Sequence, residues 1–330
     1  MPSPRPRPTG EVYFCDPVPT KSEINDAASA QNFTRDEPTQ YTGIREETAQ
    51  VQKAVEQELY VQGKAKEILE AGSRSYPDLD PWPDYEWDPW LGCKPVSRGC
   101  LNCYAARRVY EADPNHPAVK LVANRATFTG VTYCNPDMIR MPLLLEGRKV
   151  IFLGAHSDIF QPVIVNKPVR LHQVHEIIAR VPHLINILTK YPENALAFYE
   201  ERGRISDNIR LGISAETQKT LDERWAILRE IPAVWKILSL QPLLEHINLP
   251  KNLEGTQTWV VAMREVGHGV ATTKPEWIES LRLQCDALRI PFFWETTDQD
   301  DGPLVQLRIH PPAGRKYRAQ PRSTSRFLVK

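Results

Sequence analysis

The chain has 330 residues, 41% of them hydrophobic and 25% charged, an ordinary globular composition with length for one large domain or two of usual size. Lys plus Arg and Asp plus Glu balance at 41 each, so bulk charge argues neither for nor against a polyanionic partner. No apolar run approaches the roughly 20 residues needed to span a bilayer, and the opening MPSPRPRPTG lacks the apolar stretch of a secretory signal, so a cytoplasmic location and no membrane partner are expected.

In chain order, residues 1–40 mix Pro, Ser, Thr, Asn and charge without apolar periodicity and predict an extended or disordered arm. Residues 41–80 predict a supporting helix and linker. Val51, Val55, Leu59, Ile68 and Leu69 recur among Glu, Lys and Gln, and Gly72 ends the pattern. Residues 81–301 carry a loop rich in cysteine and then a regular alternation. Apolar runs read as buried strands at Lys149–Gly154, Leu184–Leu188, Ile209–Ile213, Val234–Leu238, Trp259–Met263 and Ile290–Trp294. Between them, Val169–Arg180, Glu193–Arg202, Glu216–Glu230 and Pro275–Leu288 read as amphipathic helices. Six such strands plus one or two earlier ones predict an α/β chain built as a complete or partial β/α (TIM-like) barrel with an N-terminal extension. A doubly wound open sheet is the alternative that periodicity leaves open. Residues 302–330 form a tail without Asp or Glu but with Arg308, Arg315, Lys316, Arg318, Arg322, Arg326 and Lys330, a composition suited to phosphate contacts.

Polar groups gather where the strands finish: His156-Ser157-Asp158, Thr189-Lys190, Ser214-Ala215-Glu216, Gln241, Arg264-Glu265 and Glu295-Thr296-Thr297-Asp298. Any one of these also suits a helix cap. Six in register mark the C-terminal face of a β/α sheet, where such folds build their sites.

Three of the six cysteines, Cys93, Cys100 and Cys103, lie within eleven residues, which favours metal binding over a disulfide framework. Gly92, Pro95, Ser97 and Gly99 make the first interval a turning loop, and a helical stretch from Tyr104 to Glu111 follows Cys103. A loop closing onto a helix N-terminus presents free N–H groups, which favour thiolates and sulfides. Structural zinc takes four closed ligands, and Cys134 or His116 is a candidate fourth. A four-iron cluster held by three thiolates leaves one iron open. The loop by itself leaves both readings standing, together with three unligated buried thiols.

With these features in view, the segment from Trp87 to Phe293 resembles a family of phage- and prophage-associated proteins with a three-cysteine motif, regarded as radical S-adenosylmethionine-like. The motifs are Trp87, Gly92-Cys93, Gly99-Cys100-Leu-Asn-Cys103-Tyr104-Ala105, Ser157-Asp158-Ile-Phe160, Leu188-Thr189-Lys190 with Pro192, and Leu211-Gly212-Ile-Ser214-Ala-Glu216. Arg224, Leu238-Ser239, Pro242-Leu243-Leu244, Gln284-Cys285 and Pro291-Phe292-Phe293 complete the run. The resemblance implies a radical S-adenosylmethionine barrel in which Cys93, Cys100 and Cys103 ligate a [4Fe-4S] cluster. It implies that Asp158, Thr189, Lys190, Ser214, Glu216 and Glu265 line the cavity for S-adenosylmethionine and substrate. A reductant protein and a DNA, RNA or nucleotide substrate are the partners it suggests. Trp82, Trp87 and Trp90 are expected to pack the arm over the barrel, and His156 and His268 to be structural or to donate to substrate.

Three departures from that family sit at the expected mouth. Met263-Arg264-Glu265-Val266-Gly267 replaces Gly-Gly-Glu-Ser-Gly, Gln241 replaces a Glu before Pro-Leu-Leu, and Glu295-Thr296-Thr297-Asp298 replaces Lys-Gln-Trp-Gly. They suggest an altered substrate or an altered hold on the methionine moiety. A zinc-stabilised nucleic-acid-binding module without catalysis, or a degenerate relative that keeps its cluster for structure, are the competing functions.

Overall fold

The computed structural model describes residues 83–295 apart from 255 and 268. The N-terminal arm and supporting helix, the basic tail, Trp82, His268 and residues 296–298 lie outside the described residues.

Seven strands form one parallel sheet in the order β1-β6-β7-β8-β9-β10-β11. They are β1 (Tyr85–Trp87), β6 (Val150–Leu153), β7 (Leu184–Thr189), β8 (Ile209–Ser214), β9 (Trp235–Leu240), β10 (Thr258–Ala262) and β11 (Phe292–Trp294). The sheet is curled into a half-barrel. The strand order rises without reversal, so the doubly wound alternative, which reverses at its switch point, does not hold. The six apolar runs read from the sequence are the six later strands. The earlier strand is Tyr-Glu-Trp, three residues flanked by Pro83 and Pro89 and too short to show a period.

Alternation along the strands separates two faces. Ile151, Leu153, Ile185, Ile187, Ile209, Leu211, Ile213, Leu238, Leu240, Val260 and Ala262 join one large core with the covering helices. Those helices are α3 (Val169–Arg180), α4 (Pro192–Arg202), α5 (Gln218–Leu228) and α6 (Pro275–Leu288), with a single short turn, α2 (Pro162–Val165), before the first of them. Each large apolar side chain buried there contributes about 1.5–3 kcal/mol. On the face turned away from the helices, Phe152, Ile237, Trp259, Val261 and Phe293 form a second, smaller core, with the Trp259 and Phe293 rings edge to face at 5.8 Å. Trp87 and Trp90 are buried in the main core, and Trp87 Nε1 donates to the Met138 carbonyl at 2.6 Å, whereas the arm they were expected to hold lies outside the described residues.

Between β1 and β6 the chain makes the cysteine loop, helix α1 (Tyr104–Ala112) and an antiparallel hairpin of β3 (Val119–Val122) and β4 (Arg125–Phe128). Short β2 (Trp90–Leu91) pairs with β5 (Tyr133–Cys134). The hairpin turns on Ala123 and Asn124, both at positive φ, without the Asn-Gly signature that marks such turns in sequence. Ala105, Ala106, Val109, Ala118, Val119 and Phe128 form its core, with Cys93 and Cys103 packed against it. Among the described residues no helix is long and apolar enough to cross a membrane.

Candidate functional site

Because all seven strands run parallel, their C-terminal ends share one edge, and the loop that leaves β1 crosses it. At the start of the loop, Gly92 has φ +109°, and a Cβ there would stand 2.1 Å from the Val131 carbonyl oxygen, so glycine alone fits. The Gly92 N–H donates to the His156 carbonyl at 3.0 Å, and the Gly92 carbonyl accepts from Gln161 Nε2 at 2.9 Å. The Gly130 N–H donates to the Cys93 carbonyl at 3.1 Å. A 3-10 turn (Arg98–Cys100) then carries the chain over the far strands. A Cβ on Gly99 would stand 3.3 Å from the side chains of Glu216 and Pro242, so the loop rests directly on the ends of β8 and β9. Asn102, between the second and third cysteines, donates to Glu265 at 2.9 Å. Cys103 stands at the N-cap of α1, whose Ala105 and Ala106 amides act on its sulfur.

The three thiols are half-buried and close enough to act on one another. Burial pushes the Cys93 thiol far up, and Asp158, Cys100 and Cys103 push it the same way, with Lys190 opposing. Burial also raises Cys103, against the pull of the Ala106 amide and Lys190. Half-buried thiols gathered in one place, with Cys93 and Cys103 held protonated by burial, are the chemistry of a donor set that ionises when a cation arrives. Among the described residues, the group of three or more metal-binding side chains whose donor atoms all lie within 4.8 Å of one another is Glu86, Asp88 and His156, and not the cysteines. Three sulfurs around a single tetrahedral zinc stand about 3.8 Å apart, so the thiols are set wider than one such ion gathers them. The fourth zinc ligands considered from the sequence are engaged elsewhere. His116 Nδ1 accepts from the Ala118 amide at 3.1 Å, and Cys134 packs on the main core.

The Glu86–Asp88–His156 group is already balanced. Arg108 bridges both Glu86 oxygens at 3.3 and 3.1 Å. Asp88 accepts from the His156 amide and pairs with its Nδ1, each at 2.8 Å. Burial alone would lower the His156 pKa, but the Asp88 charge and hydrogen bond leave it raised. This network fixes the turn from which Gly92 hangs.

Asp158 and Thr189 are a joint, with no exposed face. The Asp158 carboxylate is buried and accepts from the Phe160 amide at 3.0 Å, from Thr189 Oγ1 at 2.8 Å and from the Lys190 amide at 2.8 Å. Burial raises its pKa in spite of these bonds. Thr189 Oγ1 in turn accepts from the Tyr191 amide at 2.9 Å. Lys190 and Tyr191 follow the joint directly in the chain. The Lys190 ammonium acts on Cys93 and Cys103 and forms no ion pair or hydrogen bond among the described residues. The Tyr191 hydroxyl is buried and has no hydrogen-bond partner, and burial raises its pKa, with Cys93, Asp158 and Cys100 pushing the same way. Nothing in the sequence marked Tyr191 or Asn102, since both act through contacts remote in the chain.

The remaining residues expected to line the cavity lie across the mouth. Glu216 is buried and paired with Arg224 at 3.3 Å, and Arg224 also donates to the Ser214 carbonyl. Glu265 accepts from Asn102 and, at 2.6 Å, from the Ala271 amide, clasping the 264–271 segment to the cysteine loop. Gln241 Nε2 donates to Glu295 at 2.6 Å, and Gln241 Oε1 accepts from Ser239 Oγ at 2.9 Å. Two of the departures noted in the sequence therefore touch each other, with the carboxylate on the strand opposite the one expected. Cys93, Cys100, Cys103, Asp158 and Lys190 form one neighbourhood, and Glu216 and Glu265 reach it through Gly99 and Asn102.

Residues 80–319 match the family described as protein of unknown function DUF5131, and the chain belongs to that family. No curated protein and no solved structure matches it.

Proposed function

We propose that the chain is an iron–sulfur enzyme of radical S-adenosylmethionine type, in which Cys93, Cys100 and Cys103 hold a [4Fe-4S] cluster at the mouth of the half-barrel. One observation carries the reading. The three-cysteine loop lies across the C-terminal ends of seven parallel strands, with its thiols near one another yet not drawn to the spacing of a single ion. The donor set suits the group: three half-buried thiols, the Ala105 and Ala106 amides at the third, and an unpaired lysine beside the first. When bound, such a cluster with one open iron supplies one-electron cleavage of S-adenosylmethionine to a 5′-deoxyadenosyl radical.

The chain's own residues do the rest. Gly92 and Gly99 let the loop lie flat on the mouth, and the Asn102–Glu265 clasp holds it there against solvent. Asp158 and Thr189 fix the strand end that carries Lys190, whose ammonium offers a partner for a carboxylate or phosphate. Ser214, Glu216 and Arg224 form the opposite rim. The substrate we propose is a nucleic acid or nucleotide, with the basic 302–330 tail contacting phosphates and a reductant protein supplying electrons in the cytoplasm. The test is anaerobic purification with metal and sulfide analysis, then incubation with S-adenosylmethionine and a reductant. A brown protein near four irons per chain that releases 5′-deoxyadenosine is expected. A colourless protein with one zinc per chain and no iron overturns the reading.

A further inference from the structure

A buried polar atom without a partner is rare enough in a folded protein to need a reason, and a ligand or ion that belongs beside it is a common one. Gln257 Oε1 is such an atom. The orphaned atoms of Asn186 and Trp294 sit on side chains with no exposed surface, whereas Gln257 borders a cavity of about 200 Å³. That cavity lies at the N-terminal end of the sheet, away from the cysteine mouth. Gln257 directly precedes β10, Lys236 is the second residue of β9, and the Lys236 amide donates to the Gln257 carbonyl at 2.9 Å. Trp225 and Arg229, from the end of α5, and Asn252 complete the wall that bears on its chemistry.

The hydrogen bonds of the wall decide what is left over. Trp225 Nε1 donates to Asn252 Oδ1 at 3.0 Å, so the oxygen of that amide is taken and its NH2 remains to donate. Thr256 spends its one hydroxyl hydrogen on the Leu253 carbonyl at 2.7 Å, and Thr258 must therefore give its own to Thr256, 2.8 Å away. Neither hydroxyl has a hydrogen for Gln257. Lys236 Nζ donates to the Ala233 carbonyl at 3.1 Å, which uses one of its three hydrogens. No carboxylate lines the cavity, and among the described residues none pairs with Lys236. Arg229, exposed at the rim, pairs with Glu230 at 2.9 Å. The C-terminal end of α5 adds about half a negative charge, less than the full positive charge of Lys236 alone.

The occupant that fits must therefore accept from Lys236 and Asn252, carry negative charge, and bring a hydrogen for Gln257. Water supplies the hydrogen without the charge. A simple carboxylate or sulfate supplies the charge without the hydrogen. At this volume the occupant is also smaller than those of the roughly 300–1,000 Å³ pockets that take drug-sized ligands. We propose that the cavity is a binding site for inorganic hydrogen phosphate, whose charged oxygens accept from Lys236 and Asn252 and whose P–OH donates to Gln257 Oε1. The site stands apart from the mouth and does not depend on what the three cysteines hold.

The test is the Tm of the full chain at pH 7, titrated with inorganic phosphate, sulfate or methyl phosphate against chloride at equal ionic strength, so that screening cancels. Sulfate has no O–H at this pH, and methyl phosphate is mostly without one. Phosphate should raise Tm in the saturable manner of a ligand that binds only the folded state, and the other two anions should raise it much less. Lys236→Met should weaken the apparent affinity for phosphate several-fold. Gln257→Leu should do the same for phosphate and leave the small response to sulfate unchanged. Each variant is compared with its own chloride baseline, so a general loss of stability cancels. A phosphate shift no larger than that of chloride overturns the site. Equal shifts from sulfate or methyl phosphate overturn the donated hydrogen bond to Gln257, and variants that respond like wild type place any phosphate binding elsewhere and overturn the proposal.

Discussion

Two polar neighbourhoods share one end of the sheet and differ in how their hydrogen-bonding capacity is used. In the Asp158–Thr189 joint and the Glu86–Arg108–Asp88–His156 network, carboxylates meet donors at hydrogen-bonding distance. A few residues away, three thiols face a lysine without an ion pair and a tyrosine hydroxyl without an acceptor. The first kind of cluster is architecture, since nothing is left over to bind a ligand. The second is held in place by the first and keeps its valences open, as a binding site must.

The sharpest way to break this contrast is to alter each side in turn. Cys93→Ser, Cys100→Ser and Cys103→Ser should each abolish iron retention after anaerobic reconstitution while leaving the urea midpoint of the metal-free chain nearly unchanged. A large drop in metal-free stability with retained iron would place the thiols on the architectural side. Asp158→Ala should do the reverse, because it strands buried donors that are now paired. The expected loss is about 3–5 kcal/mol of unfolding free energy in the metal-free chain, read from urea curves. Glu265→Ala should cost less, about 1–3 kcal/mol, because one of its partners, Asn102, is only half-buried. The same substitution should speed limited proteolysis within the 92–103 loop, which a merely local loss would not do.

The smallest effect is a pH dependence with two limbs. His156 has a raised pKa from Asp88, so its contribution is complete below the unfolded value near 6.5 and is lost as pH rises through the folded value. His175 behaves oppositely. It is buried between the Leu171 carbonyl and the Tyr199 hydroxyl, at 2.9 and 3.0 Å, and burial lowers its pKa to about 3. Its stabilising effect is complete above 6.5 and declines as pH falls below 6.5 toward the folded value of about 3. Unfolding free energies between pH 5 and 8 should therefore fall on both sides of a maximum, by at most about 1.4 kcal/mol per pH unit for each group. In His156→Gln the alkaline limb should flatten and the acid limb remain. A flat alkaline limb in wild type would remove the charge from the Asp88–His156 pair.

The same contrast explains what could be read from the sequence. The six later strands and their helices were legible because each is an apolar run or a stripe with its own period. Val169–Arg180 and Pro275–Leu288 have the expected bounds. The cysteines and Lys190 were legible by residue type and place. Asp158, Thr189 and Glu265 lie at or just beyond strand ends, but residue type could not reveal that hydrogen bonds already engage their side chains. Tyr191 and Asn102 were invisible because their meaning lies in contacts, in one case with a partner 163 residues away. The β3–β4 hairpin escaped because Ala123-Asn124 adopts a turn that sequence usually announces with glycine.

The most direct measurement is the iron, acid-labile sulfide and zinc content of the anaerobically reconstituted full chain, with Cys93→Ser, Cys100→Ser and Cys103→Ser beside it. The account predicts close to four irons and four sulfides per wild-type chain and loss of both in every variant. Stoichiometric zinc without iron, or iron that survives loss of a thiol, would contradict it.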